Sequence, residues 1–480
     1  MSYEAVIGLE VHAELDTRTK LFCGCSTAFG APPNTQTCPV CLGMPGVLPV
    51  MNRAAFAYAL KAALAIECRI NSPTIFDRKN YYYPDLPKNY QISQLYHNLG
   101  EDGFLDIVVA GQVKRVRIWN VHLEEDAGKL MHSENPGDRT SLVDLNRTGR
   151  PLLEIVSAPD MRTSAEVEAY MKTLRNVLLY TGVSDCKMQE GKLRFEPSIS
   201  LRPEGAEKLG ARVEIKNVGS ITAVVKAVDY EIARQSKALD AGETLHQETR
   251  LWDDRLNRTA GMRRKETSAD YRYFPEPDLA PVEIPAETIE NVRASLPELP
   301  TARRMRFREA YSLGDYEAAI LTDELPLAEY YEKCLQDKAA SPREVSKWII
   351  NEVRRHLNET GIGIADFTCP PTRIGALAGL VESGTLSASA GREVFAEMLA
   401  ADKDPAAIVE EKGLAQVSDS GALGEVVDRV LAANPGIVAD WKAGKQAAAN
   451  ALIGPVMRET KGKANPKIVR DLIQEKLKAQ

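Results

Sequence analysis

Between Val6 and Leu15 the chain alternates without a break: Ile7, Leu9, Val11, Ala13 and Leu15 fall on one side, and Glu10, His12 and Glu14 on the other. A strand turns successive side chains to opposite faces, so this segment belongs in a sheet with one apolar and one polar face. Antiparallel sheets accommodate that asymmetry, because one face packs on the core while the other stays open. Short alternating segments separated by Pro, Gly and Asn continue to about residue 300, interrupted by helical patterns at 53–67, 164–181 and 222–241. The pattern predicts an α+β fold on an antiparallel sheet.

The stretch 275–300 carries Pro275, Pro277, Pro281, Pro285, Pro297 and Pro300, which reads as a connector rather than a packed element. Beyond it the pattern turns helical. Ser341-Pro342-Arg343-Glu344 offers a capping box with a first-turn proline, and Val345, Trp348, Ile349, Val353 and Leu357 then line one face. In the last seventy residues Asn434-Pro435 and Asn465-Pro466 repeat a cap-then-proline device, which predicts three short helices.

A chain of 480 residues is long enough for about three domains. With 60 Lys+Arg against 67 Asp+Glu the net charge is −7, so it is no general polyanion binder and any nucleic-acid contact must be local. The place for one is the end: residues 401–440 carry 3 basic and 8 acidic groups, residues 441–480 carry 9 and 3. Lys442, Lys445, Arg458, Lys461, Lys463, Lys467 and Arg470 can follow RNA phosphates, or simply make a solvated helical face. Trp441 is the lone aromatic among them, which favours backbone over base recognition. No apolar run approaches a membrane span and the first residues lack a secretory leader, so a soluble, cytoplasmic protein is expected.

Eight cysteines are too few for a disulfide framework, yet four crowd together as Cys23-Gly24-Cys25 and Cys38-Pro39-Val40-Cys41. Two short loops that each offer a thiolate pair suit tetrahedral zinc, and four thiolates leave no open position, so the ion would be structural. Cys68, Cys186, Cys334 and Cys369 stand alone and read as fillers.

The polar face of the first strand carries Glu10 and Glu14 around His12. Bare carboxylates about 7 Å apart repel by roughly 2 kcal/mol at an effective dielectric near 20, a cost that a bound cation reverses. A second strand ends in Glu124-Glu125-Asp126, which must project to both sides. Together the strands suggest a carboxylate-rich Mg²⁺ site. The loop and strand from Asn146 to Glu154 add Arg147, Arg150 and a carboxylate, and the strands around Arg194 and Glu214 turn further charges to one side. There is no P-loop, Rossmann, zincin or nucleophile-elbow motif. Any nucleotide would have to be held by a sheet carrying carboxylates, Mg²⁺ and basic side chains.

Gly8-Leu9-Glu10-Val11-His12, the run Cys38–Gly46, the run Asp77–Lys88, the run Asp270–Leu279 and Lys461-Gly462-Lys463-Ala464-Asn465-Pro466 are long, unusual strings. On them the chain resembles, from end to end, the GatB family of the aspartyl/glutamyl-tRNA amidotransferases. The resemblance implies a catalytic cradle similar to glutamine synthetase over 1–294 with a zinc knuckle at 23–41, an all-α domain over 295–408 and a three-helix, tRNA-binding tail over 409–480. It implies that ATP phosphorylates the side chain of Glu or Asp misacylated on the tRNA for glutamine or asparagine, and that ammonia displaces the phosphate. It implies a heterotrimer with an amidase subunit and a third, small subunit, and no membrane partner. Carried onto this chain, Glu10, His12 and Glu125 become the Mg²⁺ site, with Glu124 and Glu154 behind them, and Lys79 pairs with phosphate or carboxylate. Arg147, Glu214 and Lys216 become cradle residues for ATP or substrate, and Lys461, Lys463, Lys467 and Arg470 contact tRNA. His122 and His132 are read as ordinary hydrogen-bonded histidines. Two other readings compete: a zinc-dependent tRNA-binding subunit without chemistry, in which Glu10→Ala changes nothing, and a metal-dependent phosphoesterase, which releases phosphate without aminoacyl-tRNA.

Overall fold

The computed structural model describes residues 2–132, 140–264, 271–416, 420–443, 445–460 and 464–479, in two compact units, 1–303 and 304–480. In the first unit the alternating segment becomes β1 (Tyr3–Glu14). The strands that follow are β2 (Arg69–Ile70), β3 (Asp77–Asn80), β4 (Tyr90–Ser93), β5 (Gly100–Val109) and β6 (Gln112–Glu125). Next come β7 (Lys129–His132), β8 (Ser141–Asp144), β9 (Pro151–Ser157), β10 (Leu193–Pro203) and β11 (Val213–Lys216). The last are β12 (Glu248–Asp253), β13 (Arg258–Arg264) and β14 (Phe274–Pro275). Nine of them form one sheet in the order β13-β12-β11-β10-β1-β9-β6-β5-β2, with β1 at its centre.

The sheet is antiparallel except where β11 and β12 run parallel. Parallel neighbours need a crossover of a dozen residues or more, and α3 (Ile221–Asp240) supplies it. With α1 (Arg53–Ala65) and α2 (Ser164–Thr181), α3 covers one face of the sheet. There Leu9, Val11, Leu123, Leu153, Ile155 and Phe195 make the core with Tyr170 and Leu174 of α2. The three helices begin and end close to the sequence expectation. Asn52, Thr163 and Ser220 cap them through their side chains.

The small sheet β14-β3-β4 is strapped to the end of β6, where Gln91 Nε2 donates to the carbonyl of Glu125 at 2.8 Å. The proline-rich stretch is therefore more than a connector. Its first residues pair with β3 and its middle forms α4 (Ala286–Ala294), since prolines at strand ends and before helices break neither.

The second unit is helical. Entered through α5 (Pro300–Ala310), it contains α6 (Asp315–Leu321), α7 (Leu325–Cys334), α8 (Pro342–Trp348), α9 (Arg354–Thr360), α10 (Pro371–Glu382), α11 (Ala388–Ala401) and α12 (Pro405–Lys412). α13 (Ser420–Ala433), α14 (Pro435–Lys442), α15 (Ile453–Glu459) and α16 (Pro466–Ala479) follow. Two separate hydrophobic clusters lie within it, one spanning Phe307 to Val409 and one spanning Leu423 to Leu477.

Ser341 caps α8 as expected, accepting from Glu344 N at 3.3 Å, but its own N–H goes to Glu382 rather than back to Glu344. A π-helical turn at Ile349–Val353 joins α8 to α9. Among the described residues the final stretch has four α-helices where three were expected. Asn434 sends its amide back to the carbonyl of Val430 instead of capping α14, and α15 grows from a 3₁₀ turn that carried no periodic signal. Among the described residues no helix is long and apolar enough to cross a membrane.

Close approach within this unit depends on glycine: a Cβ at Gly375 on α10 would stand 2.3 Å from the carbonyl oxygen of Cys334 at the end of α7. Backbone cannot yield as a flexible side chain can. Gly375→Ala is expected to destabilise the protein by about 1–3 kcal/mol, measured as a lower urea midpoint at unchanged slope.

Candidate functional site

Residues directly opposite in an antiparallel ladder point to the same face, so the register of β10-β1-β9-β6 dictates what the polar face presents. His12 pairs with Arg194 on one side and Glu154 on the other, and Glu154 in turn pairs with His122. One row across four strands therefore reads Arg194, His12, Glu154, His122. The next row places Glu10 opposite Glu196, and the row beyond His122 brings up Glu124.

The distances close the group. His12 Nε2 lies 3.4 Å from Glu10, 3.4 Å from Glu154 and 3.9 Å from Glu124. His122 Nε2 lies 3.2 Å from Glu154 and 3.8 Å from Glu124. Two ligand sets result, Glu10-His12-Glu154 and His122-Glu124-Glu154, sharing Glu154. Burial opposes charge on Glu154, but the His122 and His12 imidazoles hold its carboxyl well below the usual range. Burial likewise pushes His12 down, yet Glu154 and Glu10 outweigh it and bring it up to about 9. Burial and the neighbouring charge of Glu154 raise Glu10. This is carboxylate crowding that a cation relieves.

Second contacts fix these groups. Asn120 Oδ1 lies 3.1 Å from His122 Nδ1, and the Ser93 hydroxyl donates to Glu124 at 3.1 Å. Lys79, on β3, is carried over the face by the small sheet; burial works against its charge, but Glu124 and Glu154 raise its pKa. Lys216 bonds Glu196 at 2.7 Å and lies 3.2 Å from the buried Glu214. Beside Glu10, a cavity of about 250 Å³ is lined by Val6, Gly8, Trp119, Ser198, Leu209 and Arg212. Trp119 is the residue in excess where β6 slips register against β9.

Several expectations need correcting. Glu125 faces the opposite side from Glu124, as alternation requires; it pairs with Lys88 and accepts from Ile92 N, so Glu124 takes its place in the acidic cluster. Glu14 leaves the cluster for Arg150, 3.0 Å away. Arg147 donates to the carbonyls of Ala127 and Gly128 and braces the loop instead of facing the cluster. His122, set aside in the sequence, is central. The signal was available, because Asn120, His122 and Glu124 repeat on β6 the one-sided polar pattern of β1.

The four Sγ atoms of Cys23, Cys25, Cys38 and Cys41 lie within 4.8 Å of one another, a set that could bind a metal. Buried Lys20 stands 3.6 Å from Cys41 Sγ. The loop between the pairs is laced to the turn after β8: Leu145 N donates to Asn34 Oδ1 at 2.8 Å, and Gln36 N to Asn146 Oδ1 at 2.8 Å. Cys68, Cys186, Cys334 and Cys369 are buried and unpaired with each other. Lys467 and Arg470 are exposed on α16, while Lys461, Lys463, Asp270 and the side chain of His132 lie outside the described residues.

A family model described as the GatB/GatE catalytic domain matches residues 5–290, and one described as the GatB domain matches 329–477. The chain is 52% identical over 476 residues to the aspartyl/glutamyl-tRNA(Asn/Gln) amidotransferase B subunit of Carboxydothermus hydrogenoformans, covering 99% of both chains. It is 50% identical over 479 residues to the protein of the same name from Geobacter sulfurreducens, covering 100% of both, and 50% identical over 477 residues to that from Moorella thermoacetica, covering 99% of this chain and 100% of the other. With both domain matches and near-complete coverage at such identity, the chain belongs to the GatB family, the B subunits of the aspartyl/glutamyl-tRNA(Asn/Gln) amidotransferases.

Proposed function

We propose that this chain carries out the ATP-dependent half of tRNA-dependent amidation, activating the side-chain carboxylate of Glu or Asp carried on tRNA and transferring ammonia to it. The observation that carries the reading is the Glu10, His12, Glu154, His122 and Glu124 cluster set beside a cavity and beneath a lysine. A carboxylate resists ammonia because its leaving group would be oxide. Phosphorylation replaces that with phosphate, and ammonia then forms the C–N bond as phosphate departs.

The cluster fits a divalent cation: three carboxylates and two imidazoles form two ligand sets that share Glu154, and burial together with the charge of Glu154 already raises Glu10, a cost that a bound cation offsets. Mg²⁺ held there would gather the polyphosphate and offset charge on the moving phosphoryl group. The chain's own groups do the rest. Trp119, Leu209 and Val6 offer the base of ATP an apolar seat, and Arg212 reaches its edge. Lys79 is placed to receive the substrate carboxylate, and Lys216 and Arg194 to neutralise phosphate at the cluster's rim. Arg147 and Glu214 act from behind, one through the loop at 127–128 and one through Lys216.

The cysteine set is read as a structural zinc site whose loop holds the turn leading into Arg147 and β9. The exposed Lys467 and Arg470, with Lys461 and Lys463, are read as the tRNA contact in a tail over 409–480, behind a cradle over 1–294 similar to glutamine synthetase and a helical domain over 295–408. An amidase subunit and a small subunit would supply ammonia and complete a heterotrimer.

Three outcomes test this. In the assembled complex with ATP, ammonium and Glu-tRNA, Glu154→Gln should lower the rate of Gln-tRNA formation by about 10²–10³-fold while tRNA affinity stays within twofold. Glutamine hydrolysis by the isolated chain, or full activity of the variant, would sink the assignment. Elemental analysis should find one zinc per chain; Cys38→Ser should lose it and lower Tm by more than about 5 °C. Replacing Lys467 and Arg470 together with Ala should make the plot of log Kd against log salt shallower by about 2, one for each phosphate left unneutralised.

A further inference from the structure

Two of the strings that mark the family, 77–88 and 270–279, enter the reading above only through Lys79. Their tyrosines have no part in it. The fold joins the strings: Phe274 pairs with Arg78, and Asn80 Nδ2 donates at 2.8 Å to the carbonyl of Arg272, 192 residues away. The rings then run edge to face in one line, Tyr83 to Tyr81 at 6.5 Å, Tyr81 to Tyr271 at 6.0 Å, and Tyr271 to Tyr273 at 6.2 Å between centroids. Lys79 Nζ lies 5.9 Å from the centroid of Tyr81 and 5.3 Å from that of Tyr271. Burial and the charge of nearby acids, Glu124 and Glu154 among them, push the Tyr273 hydroxyl up to about 12 despite Lys79, as befits a ring bordering the acidic cluster. Its outer end is open, Tyr83 being 46% exposed; Arg272 and Phe274, which flank Tyr273 in the chain, are exposed as well.

We propose that this line of tyrosines is a stacking platform for the unpaired 3′-terminal bases of the aminoacyl-tRNA, steering the terminal nucleotide so that its aminoacyl group reaches Lys79. The inference rests on the amidation reading and deepens it. The reacting carboxylate hangs from the last nucleotide, so the enzyme must hold that single-stranded end close to Lys79. In the amidation reading the floor is given over to the polyphosphate of ATP, whereas the wall beside Lys79 offers what single strands bind: aromatic faces that accept any base and a cation for the backbone. Each edge-to-face contact takes an edge from one ring and a face from the other, so Tyr83, at the end of the series with a single ring neighbour in it, keeps at least one face to offer.

The test uses the full chain and a short RNA hairpin ending in four unpaired nucleotides with 2-aminopurine at the last. The wild-type chain should quench the fluorophore. Tyr83→Ala should abolish the quench and weaken binding about tenfold to a hundredfold, Tyr83→Phe should retain both, and a blunt hairpin should bind wild type and Tyr83→Ala alike. Because Tyr83 is half exposed, its truncation leaves no cavity, and an unchanged circular dichroism spectrum and Tm will accompany the loss. Quenching and affinity that survive Tyr83→Ala overturn the platform. So does a Tyr83→Ala chain that still quenches but no longer assembles with the amidase subunit, since the wall is then a protein interface. A wild-type complex that makes no Gln-tRNA or Asn-tRNA defeats the amidation reading itself, whereas an active wild type with an indifferent Tyr83→Ala defeats the platform alone.

Discussion

Everything at the site follows from one register. Because His12, Glu154 and His122 face one another across β1, β9 and β6, two imidazoles are aimed at a single carboxylate, and Glu10 and Glu124 close the group from neighbouring rows. A slip of one residue on any of the three strands would send its member of the row to the apolar face. The slip is prevented by the other face, where Leu9, Val11, Leu123, Leu153 and Ile155 are fully buried beneath the helices. Core packing and site geometry are thus two readings of one alternation. Hydrophobic burial, which is indifferent to chemistry, fixes side chains whose chemistry needs placement within fractions of an ångström.

The division of labour continues outward. The floor is a rigid sheet, but Lys79 arrives on a separate small sheet tied to β6 by Gln91, Ser93 and Gln94. The turn that precedes β9 is tied to the cysteine loop through Asn34 and Asn146. A metal ion bound by the four cysteines would steady the lead-in to Glu154 without touching any acid of the cluster.

The face of β1 was legible because alternation over ten residues permits no other strand reading, and its helices were legible from apolar spacing and their caps. Glu10, His12, Glu154 and Lys79 could be named from sequence. Glu125 was misplaced and His122 overlooked for a single reason: three consecutive acids conceal which of them shares a face with residues on another strand, and only pairing resolves it. The parallel β11–β12 pair and the slip at Trp119 also escaped, being properties of neighbours rather than of either segment. At the chain's end Asn434 shows that a good cap residue can prefer an older helix's carbonyl to a new helix's amides. Arg147 shows that a basic side chain beside a polar sheet face can be taken up by its own surroundings, here the carbonyls of Ala127 and Gly128 and the carboxylate of Asp126.

The union of β3 with β14 has a temporal side. Phe274 meets Arg78 across most of the first unit's length, so a ribosome must finish nearly all of that unit before the partner of β3 exists. At about 5–20 residues per second the interval is on the order of ten seconds or more. Through it the nascent chain can fold an acidic floor with no complete wall above it. The last strand added is the one that completes the aromatic border around Lys79, so that border forms only when nearly all of the first unit has been made.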